Sequence, residues 1–152
     1  MKRIISLILF AVLCVLPFTS CGEKDYNIDK AALAKALVDG GCFQDSMMEV
    51  PSQILKYSYE VSEDVSAVLY RGTNATAEEL TVLEAPDAES AKAVLDSASA
   101  YLDTLAATYD KYNAAEAARI RNAIIIRRGR FVIACVCNDK AAAEKIIDQY
   151  CK

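Results

Sequence analysis

The chain has no histidine and no tryptophan among its 152 residues. Without histidine, neither a Ser-His-Asp nor a Cys-His nucleophile system can be assembled, and no metal can be held by imidazole. Without tryptophan, the strongest single aromatic platform for a sugar or a quaternary ammonium is missing. Glycine is scarce, with five residues, and its one adjacent pair, Gly40-Gly41, is isolated, so no glycine-rich loop is available to cradle a phosphate. Basic charge is in deficit as well. Seventeen Lys and Arg against 21 Asp and Glu give a net charge of −4, a poor match for nucleic acid. Glu78 and Glu79 alternate across a strand, so they cannot form a close acid/base pair and read as a solvated hairpin edge. No catalytic constellation, metal-ligand set or cofactor motif emerges from what remains.

The amino terminus is informative. Met1-Lys2-Arg3 is a short basic start, and Ile4 to Phe18 is apolar except for Ser6, with Pro17 near its end. As a helix this run spans roughly 22 Å, short of the ~30 Å hydrocarbon core, which favours a removable signal over a permanent span. Thr19 and Ser20 then place small side chains before Cys21. The arrangement resembles the lipobox of bacterial lipoproteins, with Phe18 where leucine is usual. The resemblance implies that residues 1–20 are a signal peptide and that Cys21 carries diacylglycerol. Residues 21–27 would then be a short tether and residues 28–152 a single domain on the extracytoplasmic face of the cell membrane. An ordinary secretory signal with a different cut is the alternative. Acyl chains contribute about 0.8 kcal/mol per buried CH₂, so lipid rather than charge would hold this acidic domain down. The tether reaches only ~14 Å, which keeps the domain close to the bilayer.

Six cysteines are present. Cys14 lies in the signal and Cys21 at the anchor. Cys42, Cys135, Cys137 and Cys151 remain, and outside the membrane they could form two disulfides in three pairings. Cys135 and Cys137 share one face of a strand about 6.6 Å apart with poorly aimed Cβ vectors, so they are not expected to pair with each other. Cys-x-Cys is not the usual zinc spacing, and small buried core residues are the plainer reading.

Along the rest of the chain, Ile28 to Val38 reads as a helix capped by Asp29 and stopped at Gly40-Gly41. Phe43 to Val50 is open between strand and loop, and Pro51 could start a short helix toward Tyr57 or Tyr59. Val65 to Arg71 and Glu78 to Glu84 read as strands of a hairpin, with Asn74-Ala75-Thr76 in the polar turn. Pro86-Asp87 opens the longest helix, to about Asp110, with Ala91, Val94, Leu95, Ala98, Tyr101, Leu102, Leu105 and Tyr109 on one side. Asn113 and Glu116 have the spacing of a capping box for one further turn. Ile120 to Arg127 and Arg130 to Cys137 form the clearest hairpin, turning at Arg128-Gly129. Pairing Arg127 with Arg130 sorts Ile124, Ile126, Phe131, Ile133, Cys135 and Cys137, together with Ile120, to one face. Ala123, Ile125, Val132, Ala134 and Val136 go to the other, so both faces must be covered. Asp139 caps a last helix burying Ala143, Ile146, Ile147 and Tyr150. The order ββαββα predicts one α+β domain with a four-stranded, mainly antiparallel sheet, helices packed on it, and an extra N-terminal helix.

Between Met47 and Ile147 the chain carries Met47-Met48, Glu79-Leu80-Thr81-Val82-Leu83 and Tyr109-Asp110-Lys111-Tyr112. Arg121-Asn122-Ala123-Ile124-Ile125 and Gly129-Arg130-Phe131-Val132 follow. In these marks the stretch resembles a group of small bacterial lipoproteins gathered under the domain of unknown function 4358. The resemblance implies location and fold and gives no site. Two features carry the functional expectation. Arg127, Arg128 and Arg130, with Arg119 and Arg121 nearby, form a basic cluster able to hold an anionic glycan, a wall-polymer phosphate or a lipid headgroup. A charged turn kept soluble is the plainer account. Tyr112, beside Tyr109, is the tyrosine expected at the surface as a sugar- or partner-binding contact. The expected function is a membrane-anchored, non-catalytic binding or accessory module whose partners are the membrane, through its lipid, and an envelope polymer or protein. A cell-surface hydrolase or thiol enzyme is the alternative.

Overall fold

The computed structural model describes residues 24–54 and 58–152. Residues 1–20, expected to be a signal peptide, and Cys21 lie outside the described residues. Four helices and one five-stranded sheet follow in the order α1 (Lys30–Asp39), β1 (Met48–Val50), β2 (Ser66–Arg71), β3 (Glu79–Glu84), α2 (Ser90–Tyr109), α3 (Ala114–Arg121), β4 (Ile124–Arg128), β5 (Phe131–Val136) and α4 (Lys140–Tyr150). A single 3₁₀ turn, Ser52–Ile54, follows β1. The sheet order is β1-β2-β3-β5-β4, antiparallel throughout.

The α+β class holds, but the sheet has five strands rather than four. Met48–Val50 pairs with Leu69–Arg71 as a three-residue edge strand, too short for an alternating pattern to reveal it. A second correction concerns Ile120 to Ala123. Asn113 starts a helix that runs through Arg121, so Ile120 belongs to α3 and buries its side chain with the α2 face. The last hairpin turns at Gly129-Arg130, with Arg128 opposite Phe131, two residues beyond the expected register. An even slip preserves the faces because side chains alternate with period two. The remaining face assignments therefore stand.

Both faces of the sheet are covered. Val94, Ala98 and Leu102 of α2 pack on Leu69, Leu83, Val132 and Ala134. Leu33 and Leu37 of α1 and Ile147 of α4 pack on Leu80, Val82, Phe131 and Ile133. Burying a leucine or isoleucine contributes about 1.5–3 kcal/mol, so these two layers carry the fold. Asp29 and Asp139 cap α1 and α4 through the amides of Ala32 and Ala142. Tyr150, expected inside, is 37 % exposed at the end of α4. Among the described residues, no helix is long and apolar enough to cross a membrane.

Candidate functional site

Arg71 closes β2 and Glu79 opens β3, and the two stand directly opposite each other in the ladder. Glu79 is only 5 % exposed. Its Oε2 accepts from Arg71 Nε at 2.7 Å and from the Tyr101 hydroxyl at 3.1 Å, while Oε1 accepts from Tyr59 at 2.6 Å. Arg71 Nη2 also donates to Ser58 and to Tyr101, each at 3.2 Å. Tyr59 and Thr81 share a further bond of 2.9 Å, and the Tyr59 and Tyr101 rings lie 4.5 Å apart. Burial, reinforced by the Glu79 charge, holds the Tyr59 phenol well above its ordinary pKa and raises that of Tyr101 as well. Both phenols therefore remain hydrogen-bond donors at neutral pH. The cluster faces α2 because Tyr101 lies on the stripe of that helix turned toward the sheet.

Two shallow clefts meet at Tyr101. One, of ≈ 180 Å³, is lined by Arg71, Asn74, Glu79, Tyr101, Leu105 and Tyr109. The other, of ≈ 480 Å³, runs past Ser58, Tyr59, Ser97 and Thr104. Tyr112 is 67 % exposed and its ring lies 4.9 Å from that of Tyr109, so it stands at the rim of the smaller cleft.

Glu78 is buried on the other side of the strand. It accepts from the amide of Gln44 at 2.9 Å and from that of Asp45 at 2.7 Å, and Arg119 approaches it at 3.5 Å. Arg119 also approaches Glu116 at 3.4 Å, while Glu116 accepts from the Ala77 amide at 2.7 Å. These carboxylates fasten the loop after α1 and the start of β3 to α3. Asp45 in turn binds the amide and the hydroxyl of Thr73, each at 2.8 Å. A Cβ at Gly72 would lie 2.6 Å from Asp45 Oδ2, so this crossing requires glycine. The solvated hairpin edge expected for Glu78 and Glu79 is thus replaced by two buried, bonded carboxylates on opposite faces. A signal for one of them was present, since Arg71 and Glu79 bracket the hairpin loop as an opposite-charge cross-strand pair.

The expected site residues do not converge. Arg127 donates to the carbonyls of Gly129 and Ala88, the latter just before α2, whereas Tyr112 lies beyond the other end of that helix. Twenty helical residues span about 30 Å, so one small ligand cannot touch both. Arg130 pairs with Glu84 at 3.0 Å, Arg128 approaches Asp148 at 4.0 Å, and Arg121 is bonded to Asp110.

The four remaining cysteines are free thiols. Cys42, Cys135 and Cys137 are buried in the layer that α1 and α4 cover, and Cys151 is partly buried beside it. Cys135 and Cys137 are neighbours on one face, and their interaction raises the pKa of Cys135 and lowers that of Cys137. Among the described residues, no group of three His, Cys, Asp or Glu side chains is arranged to hold a metal ion.

Residues 41–137 match the model of the domain of unknown function DUF4358, which is more than half of the chain. The chain belongs to the DUF4358 family. The DUF4358 region runs from the loop after α1 to the end of β5, so it holds the whole sheet, the Arg71–Glu79 cluster and the fastening carboxylates. Helices α1 and α4 lie wholly outside it. No curated protein matches the chain, and no solved structure does.

Proposed function

We propose that this DUF4358 chain is an extracytoplasmic lipoprotein, anchored through Cys21, and serves as a non-catalytic binding or accessory module of the cell envelope. The observation that carries the anchoring is Thr19-Ser20-Cys21 at the end of a 15-residue apolar run, 4–18, behind a basic start. A binding role is supported by the state of Glu79. Both its oxygens are engaged by a guanidinium and two phenols, so it shapes a wall of the cleft. The polar cleft beside it, with Tyr112 at the rim, is the surface offered to an envelope polymer or protein. Growth on labelled palmitate tests the anchor. The wild type is expected to incorporate label, and Cys21→Ala to lose it; label retained in the variant refutes the assignment.

A thiol-dependent enzyme is the second reading, favoured by the placing of Cys137 beside Cys135 on one face, where that neighbour lowers the Cys137 pKa. Titration of the native thiols separates the two readings. A binding module is expected to show Cys42 and Cys135 inert until unfolding and no single fast thiol. One thiol reacting far ahead of the rest would favour the enzyme.

A further inference from the structure

We propose that the β4–β5 hairpin tip, through Arg127, Arg128 and Arg130, docks onto the phosphates of anionic phospholipid headgroups and sets the orientation of the domain at the bilayer. This rests on the reading of Cys21 as the lipid anchor. The tip touches the very segment that follows the anchor. A Cβ at Gly129 would stand 3.3 Å from the carbonyl oxygen of Lys24 and 3.3 Å from the ring of Tyr26. Gly129 also has φ +55°, so its missing side chain serves both the turn and this close approach. Lys24 lies three residues after Cys21, a reach of at most about 10 Å when extended. With the acyl chains inserted, the tip therefore stays near the headgroup layer. Tyr112 lies beyond the far end of α2 and the smaller cleft is lined from the second half of that helix, so neither adjoins the tip.

The charges at the tip suit this placement. Guanidinium groups bind phosphate oxygens through paired N–H donors. Lys30 and Arg130 share the single carboxylate of Glu84, so that acid does not cancel both cations. Asp148 meets Arg128 only at the 4.0 Å limit, on a side chain that is 74 % exposed and free to turn aside. Asp25 lies in the tether with Lys24, whose ammonium is 5.0 Å from the Tyr26 ring. The short tether keeps the tip nearest the bilayer, which favours lipid over a wall polymer as the occupant.

Amide hydrogen exchange on the mature protein provides the test. The full chain is expressed and processed in a bacterium, then reconstituted in vesicles of phosphatidylcholine alone or with phosphatidylglycerol. Exchange at residues 127–131 is expected to slow by about tenfold where phosphatidylglycerol is present and to recover at high salt. Residues 109–113 should exchange alike on both vesicles. The triple variant R127Q/R128Q/R130Q should lose the difference, with protected β3 and β5 amides verifying its fold. Arg128→Gln alone, expected to weaken it, serves if the triple variant does not fold. An acylated protein with equal exchange at the tip on both vesicles overturns the proposal and leaves the anchor standing. An unacylated protein that still shows the lipid-dependent slowing removes the anchor and keeps the hairpin contact. Slowing caused by an anionic wall polymer, with none caused by phosphatidylglycerol, also overturns it.

Discussion

Glu79 sits beneath α2 with three donors around it, and its burial is tolerable only while they stay. Glu79→Gln keeps the shape but leaves the half-buried Arg71 without its counter-charge. Because Arg71 retains some solvent, the expected loss is about 2–3 kcal/mol, below that of a fully buried pair. Tyr59→Phe removes one donor from Glu79 and one partner from Thr81, at about 1–2 kcal/mol. Urea unfolding midpoints measure both, and Glu79→Gln should shift further. This cluster was only partly legible in the sequence. The cross-strand position of Arg71 follows from the hairpin, whereas Tyr59 and Tyr101 come from 20 and 22 residues away and no local pattern announces them. Alternation places a carboxylate on a face without revealing what waits there.

Elements with their own start signals are legible in the sequence, whereas the edge strand β1 and the far end of α3 are set by their neighbours. Asp29 and Asp139 announce α1 and α4 because a short side chain binding its own helix amide is a local event. Asn113 announced α3 in the same way, although the reciprocal half of the capping box is missing. Glu116 reaches Ala77 in another element instead of returning to the cap. That helix then outlasts the single turn expected and takes Ile120 and Arg121 from the strand that follows, although isoleucine itself favours strand. Asn113→Ala should therefore cost about 1 kcal/mol, read as a lowered thermal midpoint. Glu116→Gln, which spares the cap, should instead loosen the start of β3, with faster exchange at the Ala77 amide. The three residues of β1 are a strand only because β2 offers them an edge.

At the scale of the whole molecule, the distribution of acids sets the response to pH. Hydrogen bonds from Thr73, Lys30, the Ser90 amide and Arg121 lower the pKa of Asp45, Glu84, Asp87 and Asp110 respectively. In the unfolded chain these carboxyls bind protons at a higher pH than in the fold, so their contribution is complete above the ordinary carboxylate range. It is lost as the pH falls through the lower folded values. Urea midpoints should accordingly be flat near neutrality and drop below about pH 4. Asp45→Asn combined with Glu84→Gln should lower the plateau and make the acid fall shallower; an unchanged slope would show that these two sites do not govern it. The sheet order bears on how the chain acquires its shape. β5 is the last strand made, yet it is inserted between β3 and β4, and β3 has no partner on that side until it arrives. A nascent chain emerging from its amino end must therefore hold the open flank of β3 in waiting until residue 136 is available. Closure of the fold is a late, long-range event, and truncation even a few residues into β5 should leave a species prone to self-association and not a smaller folded protein.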